Sequence, residues 1–265
     1  MSKKVAIVTG GTSGIGRATA LALQERGYTV YELSRRAEGM PDIRHIVADI
    51  TKEETLQAAV EQVLAAEGRL DLVVNNAGFG ISGAIEFTDT QEAQRLFDTL
   101  FFGMVRMNRC VIPLMRQQGH GRIVNISSVA APVPIPFQAY YSSGKAAINA
   151  YTMALANELR PFGVTVCAVM PGDIKTGFTA ARHKIIDGDD IYQGRIGRSV
   201  QRMEHDEQTG MDPAKVGRYI AAVASREGSH HPLYATRIDY KFFVFLTKVL
   251  PARFLNWLIY QLYGK

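Results

Sequence analysis

Short apolar runs alternate with segments of helical period along the first 170 positions. The runs 5–9 (VAIVT), 29–34 (TVYELS), 44–48 (RHIVA), 70–75 (LDLVVN), 122–126 (RIVNI) and 164–170 (VTVCAVM) are rich in β-branched residues and predict strands. Between them, 14–26, 53–66, 90–118 and 139–160 predict helices, the third adjusted near Pro113. Strands this uniformly apolar belong to a sheet covered on both faces. Strand–helix alternation therefore predicts right-handed βαβ units and a parallel α/β sheet.

The pattern changes after Pro171. Residues 178–211 are polar and interrupted by glycine, which predicts a mobile helical segment. Asp212-Pro213 reads as an N-cap followed by proline at the first helical position, opening a helix over 212–225. A last strand is expected at 234–238. The tail carries eight aromatic residues between 240 and 263. Phe242, Phe245, Leu246, Val249 and Leu250 repeat at helical spacing, and Phe254, Trp257, Leu258, Gln261 and Leu262 do so after Pro251. Two amphipathic helices divided at the proline are expected. Three roles fit them: packing on the domain or on a subunit partner, which is preferred; a lid over an apolar pocket; or membrane-surface contact, with Lys248 and Arg253 between the apolar faces.

With 265 residues and 47% hydrophobic types, the chain can bury one sizeable core. The expected division is a main domain over 1–239, with 178–211 on its substrate side, and the tail over 240–265. Net charge is +5 without a Lys/Arg run, which argues against a nucleic-acid partner. Cys110 and Cys167 sit in apolar stretches without metal-like neighbours, so two buried free thiols and no metal are expected. His230-His231 reads as loop for want of a third ligand. The first strand starts at Val5, leaving no room for a leader, and no apolar stretch is long enough to span a bilayer. A cytoplasmic protein is expected.

Residues 9–16 (TGGTSGIG) close the first strand and open the first helix. Glycines there allow a tight turn and let backbone N–H groups approach a pyrophosphate. A bare turn would show the same letters, but the βαβ setting favours dinucleotide binding. The second strand ends in Ser34-Arg35-Arg36, where an acid would select the ribose 2′-OH of NAD. Two guanidiniums there either form a solvated loop or pair a 2′-phosphate; the second reading, hence NADP, is favoured. Glu32 lies two residues too early. Tyr141 and Lys145 are four residues apart and share a helix face. An ammonium beside a phenol favours the phenolate and brings its pKa toward neutrality. Ser128, just past a strand end, can hold a substrate oxygen.

Taken together, TGGTSGIG, Asp49, Asn75-Asn76-Ala77-Gly78, Ser128, Tyr141 with Lys145, and Pro171-Gly172 followed by Thr176 resemble the short-chain dehydrogenase/reductase family of the common type. The resemblance runs from residue 3 to about 180. It implies a Rossmann-like, doubly wound parallel sheet and a cofactor across the strands' carboxyl ends. Tyr141 would donate a proton, Lys145 would lower the phenol pKa and bind the nicotinamide ribose, and Ser128 would orient the carbonyl. The implied cofactor-binding residues are Gly10, Thr12, Ser13, Gly14, Ile15 and Gly16 in the loop, then Ser34, Arg35 and Arg36. They continue with Asp49 at the adenine, Ile50, Asn76, Ala77, Gly78, Tyr141, Lys145, Pro171 and Gly172. Ile174 and Thr176 would meet the carboxamide and pyrophosphate side. Tyr140 is set aside because Gly144, not Lys, stands four residues on. By the same analogy, helices 90–118 and 139–160 would form a homodimer or homotetramer.

One departure stands out. The family usually carries Asn three residues before a glycine in the long helix, supporting a water-mediated relay to the Lys. Counting back from Gly103 gives Leu100. Asn108 lies about 12 Å further along the axis, and Thr99 points about 100° away. Either a backbone carbonyl or rearranged water serves instead, or the protein has lost efficient catalysis and acts as a cofactor-bound sensor or scaffold. The residues between Ser128 and Tyr141 are uncharged, and Phe79, Ile81 and Phe178 add apolar surface. With no Arg or Lys among them, an apolar pocket for a hydrophobic carbonyl or alcohol is expected. The reading is an NADP(H)-dependent oxidoreductase of a hydrophobic ketone or aldehyde. A steroid-like or long-chain substrate is favoured because the tail resembles steroid- and retinol-dehydrogenase-like members. An acyl-chain or quinone-like reductase is the enzymatic alternative.

Overall fold

The computed structural model describes residues 3–226 and 228–265. Its strands are β1 (Val5–Thr9), β2 (Thr29–Ser34), β3 (Arg44–Val47), β4 (Leu72–Asn75), β5 (Ile81–Ser82), β6 (Gly121–Ile126), β7 (Val164–Met170), β8 (His183–Lys184) and β9 (Leu233–Ala235). Its α-helices are α1 (Gly14–Glu25), α2 (Glu53–Glu67), α3 (Thr90–Phe97), α4 (Gly103–Gln118), α5 (Ala139–Leu159), α6 (Phe178–Ala181), α7 (Arg195–Gln208), α8 (Pro213–Ala224), α9 (Ile238–Val249) and α10 (Ala252–Tyr263).

Seven parallel strands form the main sheet in the order β3-β2-β1-β4-β6-β7-β9. Every residue of β1 and β7 is buried, because helices cover both faces. One core layer holds Met107, Val111 and Met115 of α4 with Leu56, Val60 and Val63 of α2. The other holds Ala20 and Leu23 of α1 with Val216 and Ile220 of α8. The strand order reverses between β1 and β4, which opens a crevice at their carboxyl ends. Local signals set the helix limits. Asp212 caps α8 by accepting from Ala214 N at 2.9 Å, with Pro213 at the first position.

Three expectations are corrected. The helix over 90–118 is not adjusted at Pro113, which lies within α4; it is broken at Asp98–Phe102, one turn of π-helix between α3 and α4. The last strand is shorter and earlier than 234–238, since α9 already begins at Ile238. Cys110 is only half-buried, whereas Cys167 is buried. The 178–211 segment is partly helical, as expected. It is also tied to the domain: β8 pairs in parallel with β5, and Ile185 N donates to the Ser82 carbonyl at 2.8 Å.

The two tail helices form where the proline predicts, but their stripes face the other way. Phe242, Phe245 and Val249 of α9 are each more than half exposed, and Phe254, Trp257 and Leu262 of α10 are about half exposed. Tyr240 and Val244 face the domain from α9, and Ile259 is the buried residue of α10.

Candidate active site

The loop after β1 turns tightly because Gly10 has φ +66° and Gly14 φ +53°, values that side-chain-bearing residues rarely adopt. Thr9 secures the neighbouring turn: its Oγ1 accepts from Asn76 N at 3.0 Å and Ala77 N at 3.1 Å. Asn76 Nδ2 donates in return to the carbonyls of Thr9 (3.1 Å) and Gly10 (3.2 Å). The two motifs thus become one surface at the mouth of the crevice. A cavity of about 1160 Å³ runs from this loop across the strand ends to α7 and α10.

Every residue expected to bind cofactor lines this cavity except Gly16. Gly16 lies beneath, where a Cβ would strike the Gly10 carbonyl, so its part is to let α1 approach the loop. Arg35 and Arg36 are exposed at the cavity wall beyond Ser34. Glu32 is fully buried beneath Gly11 and pairs with His45, and burial pushes its carboxyl pKa up. No carboxylate therefore occupies the end of β2. Asp49 holds a short turn, accepting from Thr51 N at 3.0 Å and Thr51 Oγ1 at 2.8 Å.

Ser128 stands just past β6, and α5 brings Tyr141 and Lys145 to the same place. Ser127 clamps the two elements by donating to the Lys145 carbonyl at 3.1 Å. Ser128 Oγ accepts from Ala130 N at 3.1 Å and stands close enough to the Tyr141 phenol to favour its ionised form. Lys145 Nζ donates to the Ile126 carbonyl at 2.7 Å and lies 5.6 Å from the Tyr141 ring centroid. The expected lowering of the phenol pKa is not found in the protein alone. Burial pushes Tyr141 up to about 12, against the smaller opposing pull of the Ser128 hydroxyl. Burial drives Lys145 down to about 7.

Leu100 is buried in the π turn, packed with Phe79, Ile81 and Tyr141. A Cβ on Gly78 would fall 2.5 Å from its Cδ2, and one on Gly144 3.5 Å from its Cδ1. The side chain thus wedges between the Asn-Asn-Ala-Gly turn and the helix of Tyr141. Asn108 takes no place near Lys145; its Oδ1 accepts from Asn75 Nδ2 at 2.8 Å in a buried amide network.

The end of the cavity expected to receive substrate is less uniformly apolar than the sequence suggests. Phe79, Val129, Ala130, Ile135 and Phe178 do line it, with the Phe178 ring 5.8 Å from that of Tyr141. Ile81 is buried in the core instead. The expectation of a charge-free pocket is corrected by Arg95, Asp98, Asp173, His183 and Glu207, which also line the cavity. Glu207 forms an ion pair with Arg182 and accepts from Thr179 Oγ1 at 2.6 Å. Asp173 accepts from Tyr240 Oη at 3.2 Å and forms no ion pair among the described residues. Burial raises its pKa, and the charges of Asp206 and Glu207 raise it further. Asp173 was within reach of sequence reasoning, since it directly follows Gly172. Met203, Glu207 and Tyr263 carry no local signal; the packing of α7 and α10 brings them to the cavity.

A family model described as short chain dehydrogenase matches residues 4–185. A 3-ketodihydrosphingosine reductase of Bacteroides thetaiotaomicron is 37% identical over 261 residues, covering 97% of this chain and 94% of that protein. A short-chain dehydrogenase structure from Streptomyces avermitilis superposes with TM-score 0.84 at 32% identity, covering 98% of this chain and 97% of that one. ElxO, solved with NADP bound, superposes with TM-score 0.75 at 26% identity, covering 91% of this chain and all of the other.

Proposed function

The chain belongs to the short-chain dehydrogenase family and is an oxidoreductase, and from that premise we propose that it reduces a long-chain ketone bearing an ammonium group near the carbonyl, using NADPH. One observation carries the reading: the Tyr141 phenol, beside Ser128, shares a cavity with the glycine loop and the carboxylate of Asp173, which forms no ion pair among the described residues. The similar Bacteroides protein bears the name of a long-chain base with its amine beside its ketone, which is this chemistry.

NADP fits the residues present. Gly10 and Gly14 shape a loop whose backbone can approach a pyrophosphate. Arg35 and Arg36 offer guanidiniums where a 2′-phosphate would lie, and Glu32, turned into the core, does not oppose it. When bound, NADPH supplies the hydride. Ser128 then holds the substrate's carbonyl oxygen, and Tyr141 Oη gives that oxygen its proton. A phenol with a pKa near 12 keeps this proton at neutral pH, which suits it to act as donor in reduction. Lys145, fixed by the Ile126 carbonyl without help from an Asn at position 100, steadies the phenolate that remains. That backbone contact favours an active enzyme over a cofactor-bound scaffold. Asp173 meets the ammonium, and the apolar residues around Phe178 receive the alkyl chain.

The test is NADPH oxidation with 3-ketodihydrosphingosine, with the same chain length of plain ketone, and with a steroid ketone. Preference for the amino ketone is expected. Equal or better turnover of either neutral ketone overturns the substrate class. Tyr141→Phe should reduce turnover by about 10²–10⁴-fold while NADPH binding persists; unchanged turnover would remove Tyr141 as donor.

A further inference from the structure

The tail presents an apolar, basic surface that nothing among the described residues covers. Ile238, Phe242, Phe245 and Val249 follow one another at steps of four, three and four residues along α9, and all are exposed. On α10, Phe254 stacks on Trp257 with ring centroids 5.8 Å apart, and both are about half exposed. Lys241, Lys248 and Arg253 are exposed beside these aromatics, and their side chains make no ion pair among the described residues. From residue 237 onward the sequence has a single acid, Asp239, and Arg237 already engages it.

We propose that this face docks on an anionic lipid bilayer. Charge decides among the possible occupants. A second copy meeting the same face about a two-fold axis would set these cations against one another. Anionic headgroups would pair with them, while aromatic rings settle at the headgroup level. Each helix has 12 residues, about 18 Å of axis against a hydrocarbon core of about 30 Å, so the pair lies on the surface rather than crossing it. The opposite side of α10 belongs to the enzyme. Tyr263 is nine residues from Phe254, half a revolution around the helix; it lines the substrate cavity and donates to Asp206 Oδ2 at 3.1 Å. One helix therefore forms both a wall of the cavity and the membrane-facing surface, which suits a substrate stored in lipid. The proposal stands whichever ketone is reduced.

Trp257 is the chain's single tryptophan and reports directly on docking. The full chain is mixed with vesicles of phosphatidylcholine alone, or with one part in three phosphatidylglycerol. Co-sedimentation and a blue shift of Trp257 emission are expected with the anionic vesicles, and both should weaken in high salt. Lys241→Gln with Lys248→Gln should weaken partitioning about 30-fold. Phe242→Ser with Phe245→Ser should abolish co-sedimentation while leaving NADPH oxidation intact, since these side chains lie outside the site. The proposal is overturned by absence of binding to the anionic vesicles, by equal binding to neutral ones, or by undiminished binding of both variants. Sedimentation equilibrium showing a dimer that the Phe pair breaks, with no vesicle binding, would instead assign this face to a second copy.

Discussion

Tyr141 and Lys145 sit one turn apart, and burial pushes their pKa values toward the opposite ends of the working range. The phenol stays protonated throughout that range, so the group titrating near neutrality is the ammonium. The kcat/KM for reduction should hold below pH 7 and fall above it as Lys145 loses its charge; Lys145→Arg should move that decline to higher pH. A flat profile through pH 9 would remove Lys145 from the transition-state interactions. Stability should move the other way. Between about pH 7 and its ordinary value of 10.5, Lys145 is protonated in the unfolded chain but not in the folded one, so its contribution to stability rises with pH. Thermal melts of Lys145→Met across this window should lose that rise. In the same cavity, Asp173→Asn should raise KM for the amino ketone by about 10–100-fold and leave the plain ketone unchanged, the loss expected for a charged hydrogen bond. The Tyr–Lys spacing was legible in the sequence. The order of their pKa values was not, because burial is absent from a string of letters.

The break in the long helix shows how one element adapts to one residue. A π turn over Asp98–Phe102 carries Leu100 inward, against Gly78 and Gly144. Leu100 and Gly78 are then a fitted pair. Gly78→Ala should cost about 1–3 kcal/mol by overpacking, and Leu100→Ala should return part of that cost in the double variant. Chemical denaturation of the four proteins measures this coupling, and strict additivity would show that the two do not touch. The sequence placed helix on both sides of the break but put the irregularity at Pro113, the one visible breaker. Pro113 stands within α4 all the same. The irregularity formed instead where a wedge had to fit between two other elements.

Across the whole molecule, the sheet reversal between β1 and β4 gathers distant segments around one crevice. Replacing Arg35 and Arg36 together with Ala should weaken NADPH by about 10–100-fold, as loss of charge-assisted bonds to a 2′-phosphate would, with little effect on NADH. Fluorescence titration with both cofactors decides it; equal losses would return this pair to a solvated loop. The alternation of apolar runs and helical segments carried the fold, since strand twist and crossover handedness leave few ways to arrange such a chain. Motif order carried the glycine loop, Ser128, Tyr141 and Lys145, because each lies at the end of an element whose position the alternation sets. The periodicity of the tail predicted two helices but not which side would face the domain. Tyr240, lying against Gly172 and bonded to Asp173, turns the aromatic stripe of α9 outward. Glu207 and Tyr263 reach the cavity for a similar reason. Period and chirality are local properties and can be read along the chain. Which face is buried, and which acids meet across a cavity, depend on packing between segments far apart in sequence, and only the folded molecule decides them.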